Sequence, residues 1–342
     1  MELPPLFARY RAELDDYLRS AVPQGSPPLL YGMTRYHLGW EDEQGRLLPE
    51  GAGKALRPTL CLWACQAMGA DWRTALPAAA ALELVHNFSL VHDDIQDGDR
   101  ERRHRPTVWS LWGQPQAINA GDSLLILGRL AMLRLAERGV APAKVIEACR
   151  VLDEACLTMI EGQCLDIGFE GEREVSVKAY LDMIAKKTGA LLAASLHLGA
   201  LVAVDDEPLV QRFARCGHLL GLAFQIRDDI LGVWGAADVT GKPVAADISR
   251  RKKCLPIVYA MAVAQAEERE QLLRVYSEGT PGDEDVSIVL RLLASYRAHD
   301  YCQQMAQERI EQALAELATV DIEPTARQEF ETVTNFVLGR EF

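Results

Sequence analysis

Helical periodicity runs through most of this chain and limits the possible folds more than any other feature. Apolar residues, mainly alanine and leucine, recur at the three- and four-residue spacing of one helix face. The pattern is strongest in six stretches, at residues 60–68, 75–91, 122–137, 143–163, 209–234 and 301–317. No stretch alternates convincingly as a strand would. The sequence therefore predicts an all-α protein built as a helical bundle.

The breaks between these stretches are short. They are rich in glycine, proline and aspartate, as at residues 23–28, 168–174 and 235–241. None resembles a flexible linker, and 342 residues of which 49% are hydrophobic can bury a large core. We therefore expect one large domain over residues 1–342. The mixed polarity of residues 31–53 is typical of an ordered loop or a short helix.

Charge, cysteine use and the amino terminus bear on compartment and partners. A net charge of −13 gives no general attraction to nucleic acid or anionic membranes, so neither is expected as a partner. The eight scattered cysteines form no CxxC pair and no zinc pattern, which favours a reducing cytoplasm. The amino-terminal segment is amphipathic rather than a signal peptide. No uncharged apolar run reaches the ~18 residues of a transmembrane segment, so we expect a cytoplasmic protein.

An acidic cluster ends the apolar stretch at residues 76–91. Asp93 and Asp97 are four residues apart and share one helix face, with Asp94 beside them. Two carboxylates held there repel each other, and the helix dipole adds to that cost at a carboxyl end. Mg²⁺ suits such a pair, because it binds a few carboxylates and keeps positions for phosphate oxygens. The alternative for this cluster is a solvated acidic face.

A second acidic pair, Asp228 and Asp229, closes the apolar stretch that starts near Leu209. Two buried helices ending in such pairs can face each other across one cavity. Metal ions between them would bind a diphosphate from both sides.

Basic residues alternate with the acidic clusters along the chain. Lys54 and Arg57 stand three apart, which places them on one side of a helical turn. Further basic runs occupy residues 100–105, 186–187 and 250–253, and Lys242 follows a glycine. Lys186, Lys187 and Thr188 are expected to open a helix whose free amides assist anion binding. Each run alone is typical of a solvated surface, but their alternation with carboxylates favours a phosphate site.

These motifs together resemble the trans-prenyl diphosphate synthase (polyprenyl synthetase) family, from about Gly51 to Pro256. The matching segments, in order, are GAGKALRP, ELVHNFSLVHDDIQDGDRERRHRPT, AGDSLL, EGQCLDI, KKTGALL, FQIRDDIL and TGKPVAADISRRKKCLPI. The resemblance implies the isoprenoid synthase type I fold, a single helical bundle around a central cavity. It also implies a Mg²⁺-dependent prenyltransferase that joins an allylic diphosphate to isopentenyl diphosphate, and a homodimer.

The resemblance also implies roles for individual residues. The metal ligands would be Asp93, Asp97 and Asp228, holding three Mg²⁺ ions, with Asp94 and Asp229 beside them. Isopentenyl diphosphate would be held by Lys54, Arg57, His86 and Arg103. The allylic diphosphate would be contacted by Arg102, Lys187, Lys242 and Lys252. Thr188 and Gln225 would line the reacting centre, and Gln163 and Asp166 would support the metal ions. His92 and Cys164 are expected to be packing or supporting residues.

The chain departs from the family pattern at two positions that matter here. Gly232 stands where the second acidic motif usually has a third aspartate, and Asp247 could compensate through a metal-bound water. His104 replaces the glycine usual after the arginine pair. The change at Gly232 removes one outer carboxylate, and we expect activity to survive that loss. The change at His104 removes no charged contact.

Product length should depend on side chains below the first acidic cluster. Phe88 lies five residues before Asp93, about 7.5 Å down the helix axis. That depth accommodates one or two isoprene units before an aromatic wall. Ser89 is small, and the acidic motif has no insertion. By resemblance the pattern favours a C20 product over C15.

Three other functions fit parts of the pattern. A terpene cyclase on the same fold has no second diphosphate to hold, so Lys54, Arg57, His86 and Arg103 argue against it. A non-catalytic subunit of a heteromeric synthase typically loses the aspartates that this chain keeps in its first motif. A helical binding protein with coincidental motifs is the remaining alternative.

Overall fold

The computed structural model describes residues 3–48, 53–235, 245–277 and 281–339. Within them the chain is almost entirely helical. In chain order the helices are α1 Pro5–Ala21, α2 Pro28–His37, α3 Leu56–Ala67, α4 Leu76–Gln96, α5 Val108–Trp112, α6 Gln114–Leu133, α7 Pro142–Gly171, α8 Val177–Ile184, α9 Ala190–Ala203, α10 Glu207–Trp234, α11 Ala246–Ser249, α12 Leu255–Val263, α13 Ala266–Ser277, α14 Asp283–Ser295, α15 Ala298–Ala318 and α16 Pro324–Leu338. Short 3₁₀ turns precede α4 and follow α6.

The predicted helical stretches all exist, and most run longer than the sequence pattern indicated. The break expected at residues 168–174 begins late, because α7 continues to Gly171. The ambiguous segment at residues 31–53 divides into the end of α2 and a loop with one bridge between Glu41 and Leu47. Helix α10 runs five residues beyond Asp229, so the second acidic pair lies inside its helix and does not close it.

The centre of the bundle is α9, which is apolar on every side. Ten of its fourteen residues are buried, as expected of a helix without a solvent face. It packs against α3, α7 and α10, while α4 packs along α6 and α10 packs along α15. This arrangement surrounds one cavity with the carboxyl halves of α4 and α10.

One helix, Trp72–Gln96, is long and apolar enough by length and composition to cross a membrane. However, 78% of its most apolar window is buried inside the fold, which is typical of a core helix. All eight cysteines are free, and six of them are buried, where Cys acts as a small apolar residue. Cys164 is exposed, so of the two roles expected for it, packing or support, the supporting role stays a prediction.

Two short strands, β1 Glu101–Arg102 and β2 Arg105–Pro106, form a small antiparallel ribbon. Its turn residues, Arg103 and His104, both have positive φ, 53° and 59°, as a tight hairpin turn requires. Arg105 fixes the ribbon by donating hydrogen bonds to the carbonyl oxygens of Tyr36 and Glu41, at 3.1 and 2.8 Å. The turn therefore holds Arg102 and Arg103 at the cavity.

Candidate active site

A cavity of about 630 Å³ lies between α4, α6, α7 and α10, and we call it the central cavity. Twelve of the sequence-predicted site residues line it: Arg57, His86, Phe88, Ser89, Asp93, Arg102, Arg103, Gln163, Lys187, Thr188, Gln225 and Asp228. These residues come from six separate segments of the chain. The fold therefore brings together most of the site that the sequence predicted.

Asp93 and Asp228 line the cavity from α4 and α10. Burial raises the pKa of Asp93, the charge of Lys187 lowers it, and that of Asp97 raises it again. Asp97 caps the end of α4 and is exposed, donating its backbone N–H to the carbonyl of Asp93 at 2.8 Å. Asp93 and Asp97 are thus one helical turn apart at the cavity mouth. A cation bound between them would relieve the repulsion between their carboxylates.

Asp94 has a different role from its neighbour. It is only 1% exposed and is not among the residues that line the central cavity. Its Oδ1 accepts a hydrogen bond from Arg102 Nε at 2.7 Å. Burial raises the pKa of Asp94 to about 6, although Arg102 opposes that shift. Asp94 therefore holds Arg102 in place beside the cavity.

Arg57, His86 and Arg103 converge on one side of the cavity, and we call them the arginine–histidine cluster. Burial, followed by the charges of Arg57 and Arg103, lowers the pKa of His86 well below its ordinary value. Among the described residues, the buried Nε of Arg57 has no hydrogen-bond partner. Glu83, 6% exposed, raises the pKa of both arginines, which burial lowers. Two cations, one buried carboxylate and a neutral imidazole suit the binding of an anion.

Lys187 and Thr188 lie in a π-helical turn, Ala185–Gly189. This turn joins α8 and α9 into one continuous helix over residues 177–203. The prediction that Lys186, Lys187 and Thr188 open a helix is therefore wrong, and the anion site has no helix N-terminus there. Single π turns inside α-helices are frequent at functional sites. Here both side chains reach the cavity, and Lys187 pairs with Asp166 at 2.5 Å.

A hydrogen-bond chain fixes the wall opposite α4. Thr188 Oγ1 donates to Gln225 Oε1 at 2.7 Å, and Gln225 Nε2 donates to Asp229 Oδ1 at 3.1 Å. Asp229 Oδ2 accepts from the Tyr180 hydroxyl and from the backbone N–H of Leu255. Asp229 is 2% exposed and is not a lining residue. Asp229 orients Gln225 through this bond, and its expected place beside the metal ligands stays a prediction.

The position of the missing third aspartate is filled from another element. A Cβ built on Gly232 would lie 2.0 Å from Asp247 Oδ2, so the Asp247 carboxylate occupies the space of a side chain at residue 232. Asp247 is 7% exposed. Burial lowers the pKa of Lys252, but Asp247, Asp166 and other carboxylates outweigh it and raise that pKa. Lys252 therefore lies among the carboxylates near the mouth.

The lower part of the cavity is apolar. It is lined by Phe88, Leu90, Leu125, Met159, Ile160 and Phe224. Phe88 is 6% exposed, and Ser89 donates its hydroxyl to the His86 carbonyl at 2.8 Å. A polar mouth above an apolar end suits an amphiphilic ligand with an anionic head.

The predicted substrate residue Lys54 is not among those that line the cavity. Lys54 is exposed and lies over the ring of Phe336 at 5.3 Å. Lys242 falls outside the described residues. Sequence reasoning also missed Glu83 and Tyr180, which contact the site through other side chains. Glu83 precedes His86 by three residues, a spacing that places both on one helix face, whereas no local pattern indicates Tyr180.

The donor set fits magnesium. The carboxylates of Asp93, Asp97 and Asp228 are hard oxygen ligands, and the buried Oε1 of Gln163 has no hydrogen-bond partner in the described part of the chain. No three acidic, imidazole or thiol groups among the described residues form a metal cluster by themselves. That suits Mg²⁺, which usually completes its shell with water and substrate phosphates.

Comparisons with known proteins agree with this geometry. A sequence model of the polyprenyl synthetase family matches residues 42–293. A geranylgeranyl diphosphate synthase of Mycobacterium tuberculosis is 41% identical over 313 residues, which cover 91% of this chain and 88% of that protein. A (2E,6E)-farnesyl diphosphate synthase of Mycobacterium bovis is 37% identical over 317 residues, covering 92% and 87%.

Solved structures give the same result. The crystal structure of a polyprenyl synthetase from Streptomyces coelicolor A3(2) matches with a TM-score of 0.90 and 36% identity, covering 97% of this chain and 98% of that one. A geranylgeranyl pyrophosphate synthetase from Pyrococcus horikoshii Ot3 matches with a TM-score of 0.88 and 33% identity, covering 98% and 99%.

The fold and the site define an all-α synthase whose cavity has a charged mouth and an apolar end. The chain belongs to the polyprenyl synthetase family. The predicted fold class, family and enzyme class, a prenyltransferase, are thereby confirmed.

Proposed function

We propose that this chain joins an allylic diphosphate to isopentenyl diphosphate and releases a linear short-chain prenyl diphosphate. The product length that we propose is C20 rather than C15. One observation carries the proposal. Two separate sets of charged side chains line the central cavity, the acidic mouth around Asp93 and Asp228 and the arginine–histidine cluster, and each set suits a diphosphate. A terpene cyclase needs only the first, so the second supports a two-substrate synthase.

The chain's own residues have distinct tasks in this reaction. Arg102 and Lys187 would contact the allylic diphosphate, and Arg57, His86 and Arg103 would hold the isopentenyl diphosphate. Three Mg²⁺ ions at Asp93, Asp97 and Asp228 would neutralise the charge that develops on the departing diphosphate. Fixed cations already in position act without reorganisation during the reaction.

Bond changes follow from this placement. The C–O bond of the allylic diphosphate breaks and leaves an allylic cation and diphosphate. The double bond of isopentenyl diphosphate attacks that cation, and the proton lost from the product goes to the released diphosphate. Thr188 and Gln225 line the reacting centre, held by Asp229. The apolar cavity excludes water, which would otherwise convert the cation to an alcohol.

We expect the length of the product to depend on the depth of the central cavity. The relatives include synthases of both farnesyl and geranylgeranyl diphosphate. Phe88 lines the apolar part five residues below Asp93, about 7.5 Å along the axis. This depth supports the C20 assignment.

We further propose a homodimer of single-domain chains acting in the cytoplasm. Exposed large apolar side chains cluster on α6 and α7, and we call this surface the apolar face: Ile118, Ile126, Leu130, Leu133, Ile146, Leu157, Ile160 and Ile167. Such a surface is typical of an association site. The free cysteines support a reducing compartment.

Incubation with Mg²⁺, isopentenyl diphosphate and C5, C10 or C15 allylic diphosphates tests the activity, with chromatography of the dephosphorylated products. We expect linear alcohols, with C20 the longest main product. A hydrocarbon formed from a long diphosphate without isopentenyl diphosphate would instead establish a cyclase.

A further inference from the structure

We propose that His92 is a specificity-determining residue that sets product length by holding the Phe88 ring across the apolar end of the central cavity. The inference rests on the proposed function. It concerns a side chain that neither the acidic mouth nor the arginine–histidine cluster uses.

Phe88 and His92 are one turn apart on α4, and both line the central cavity. Their ring centroids are 4.9 Å apart at an interplanar angle of 71°, an edge-to-face contact of the favoured kind. A phenylalanine ring can turn about two side-chain torsions. The imidazole edge blocks one side of that movement, so the position of Phe88 depends on where His92 lies.

His92 itself is held by α6. Its Nε2 donates to the carbonyl oxygen of Ile118 at 3.3 Å and lies 3.7 Å from Asp122 Oδ1. The ring also rests directly on the backbone at Gly121, where a Cβ would come within 2.3 Å of Nε2. Glycine is less favourable than alanine inside a helix. The space for the His92 ring is therefore a physical reason for glycine at residue 121.

The His92 ring thus fills the space between α6 and the Phe88 ring, and we call this ring with its contacts to both the wedge. Its position along the cavity matters, because an allylic chain extending from Asp93 must pass this part of the wall. Removing the His92 side chain would allow the Phe88 ring to rotate away from the cavity. Adding bulk at Gly121 pushes the imidazole off α6 and toward the cavity.

Four variants test the wedge: His92→Ala, Gly121→Ala, Phe88→Ala and the double variant Phe88→Ala/His92→Ala. Each is given C15 allylic diphosphate, isopentenyl diphosphate and Mg²⁺. The readout is the ratio of longer to shorter products, which does not depend on the fraction of folded enzyme. One methylene in a hydrophobic pocket changes discrimination by about tenfold or more.

We expect His92→Ala to raise the proportion of the next longer product by about tenfold, and Gly121→Ala to lower it. The double variant should match Phe88→Ala, because His92 acts through that ring. A wild-type product distribution from His92→Ala overturns the proposal, as does a double variant that elongates beyond Phe88→Ala. Failure of the wild-type chain to elongate any primer would instead refute the proposed function.

Discussion

At the scale of single residues, Gly232 and Asp247 behave as a matched pair. Asp247 Oδ2 lies where a Cβ of residue 232 would be, at 2.0 Å. We expect Gly232→Ala to displace the Asp247 carboxylate without supplying another in its place. The variant should lower kcat about 10- to 100-fold, which is the usual effect of losing a supporting carboxylate near a metal. Gly232→Asp should lose less, because its own carboxylate takes the vacated place.

Steady-state kinetics and thermal unfolding of both variants check this order. The displaced group is the end of a short, rotatable side chain, so the melting temperature should change little. A lower kcat for Gly232→Asp than for Gly232→Ala would contradict the pairing. Asp247→Asn, which keeps the shape and removes the charge, should resemble Gly232→Ala.

Stability should depend on pH through His37. Burial, then the charges of Arg102 and Arg103, lowers the pKa of His37 to about 3. Below the ordinary pKa of about 6.5, the unfolded chain binds a proton that the folded chain does not. The free energy of unfolding should therefore fall by up to ~1.4 kcal/mol per pH unit as the pH drops from about 6.5 toward 3.

Urea unfolding of wild type and His37→Gln at pH 7.0 and 5.5 measures this contribution. The variant should lose less stability than wild type over that interval. His299→Gln changes a histidine whose side chain is 36% exposed and serves as the control. Equal pH dependence in wild type and His37→Gln would show that acid destabilisation comes from other groups.

At the scale of elements, the π turn between α8 and α9 positions Lys187 and Thr188, which we propose lie at the reacting centre. Gly162 of α7 packs against it, and a Cβ at residue 162 would lie 2.2 Å from the backbone nitrogen of Lys187. The backbone of the π turn cannot move as easily as the end of a flexible side chain. We expect Gly162→Ala to shift Lys187 and Thr188 and to reduce kcat by about 100-fold, the effect of a small misplacement.

Gly168→Ala on the same helix is the matched control, because nothing lies within 4 Å of its added Cβ. It should keep wild-type kcat and gain up to ~1 kcal/mol in stability, since alanine favours helix over glycine. Wild-type kcat in folded Gly162→Ala would show that the turn tolerates displacement.

Local patterns predicted the helices and most of the site, because both depend on spacing along one element. Asp93 and Asp97 share a face for that reason. The same rule separates neighbours by about 100° on a helix, which explains why Asp94 and Asp229 turn inward from Asp93 and Asp228. The Tyr180–Asp229 bond and the approach of Asp247 to Gly232 join distant segments. No local sequence pattern indicates these two contacts or the π turn.

At the scale of the whole molecule, the apolar face on α6 and α7 is the surface that we propose joins two copies of the chain. Leu130 and Ile146 are 54% and 71% exposed there. In a twofold interface each substitution occurs twice against the same surface. Leu130→Glu would bury two unpaired carboxylates, each costing several kcal/mol.

We expect Leu130→Glu to convert the proposed homodimer to a monomer in sedimentation velocity at micromolar concentration. Leu47→Glu adds the same charge at a residue that is 76% exposed and outside the apolar face, so it should leave the dimer intact. The apolar face includes the cavity-lining residue Ile160, and its residue Ile126 follows the cavity-lining Leu125. A monomer should therefore also release a broader range of product lengths, because the wall behind these side chains loses its support. A dimeric Leu130→Glu would place the interface elsewhere.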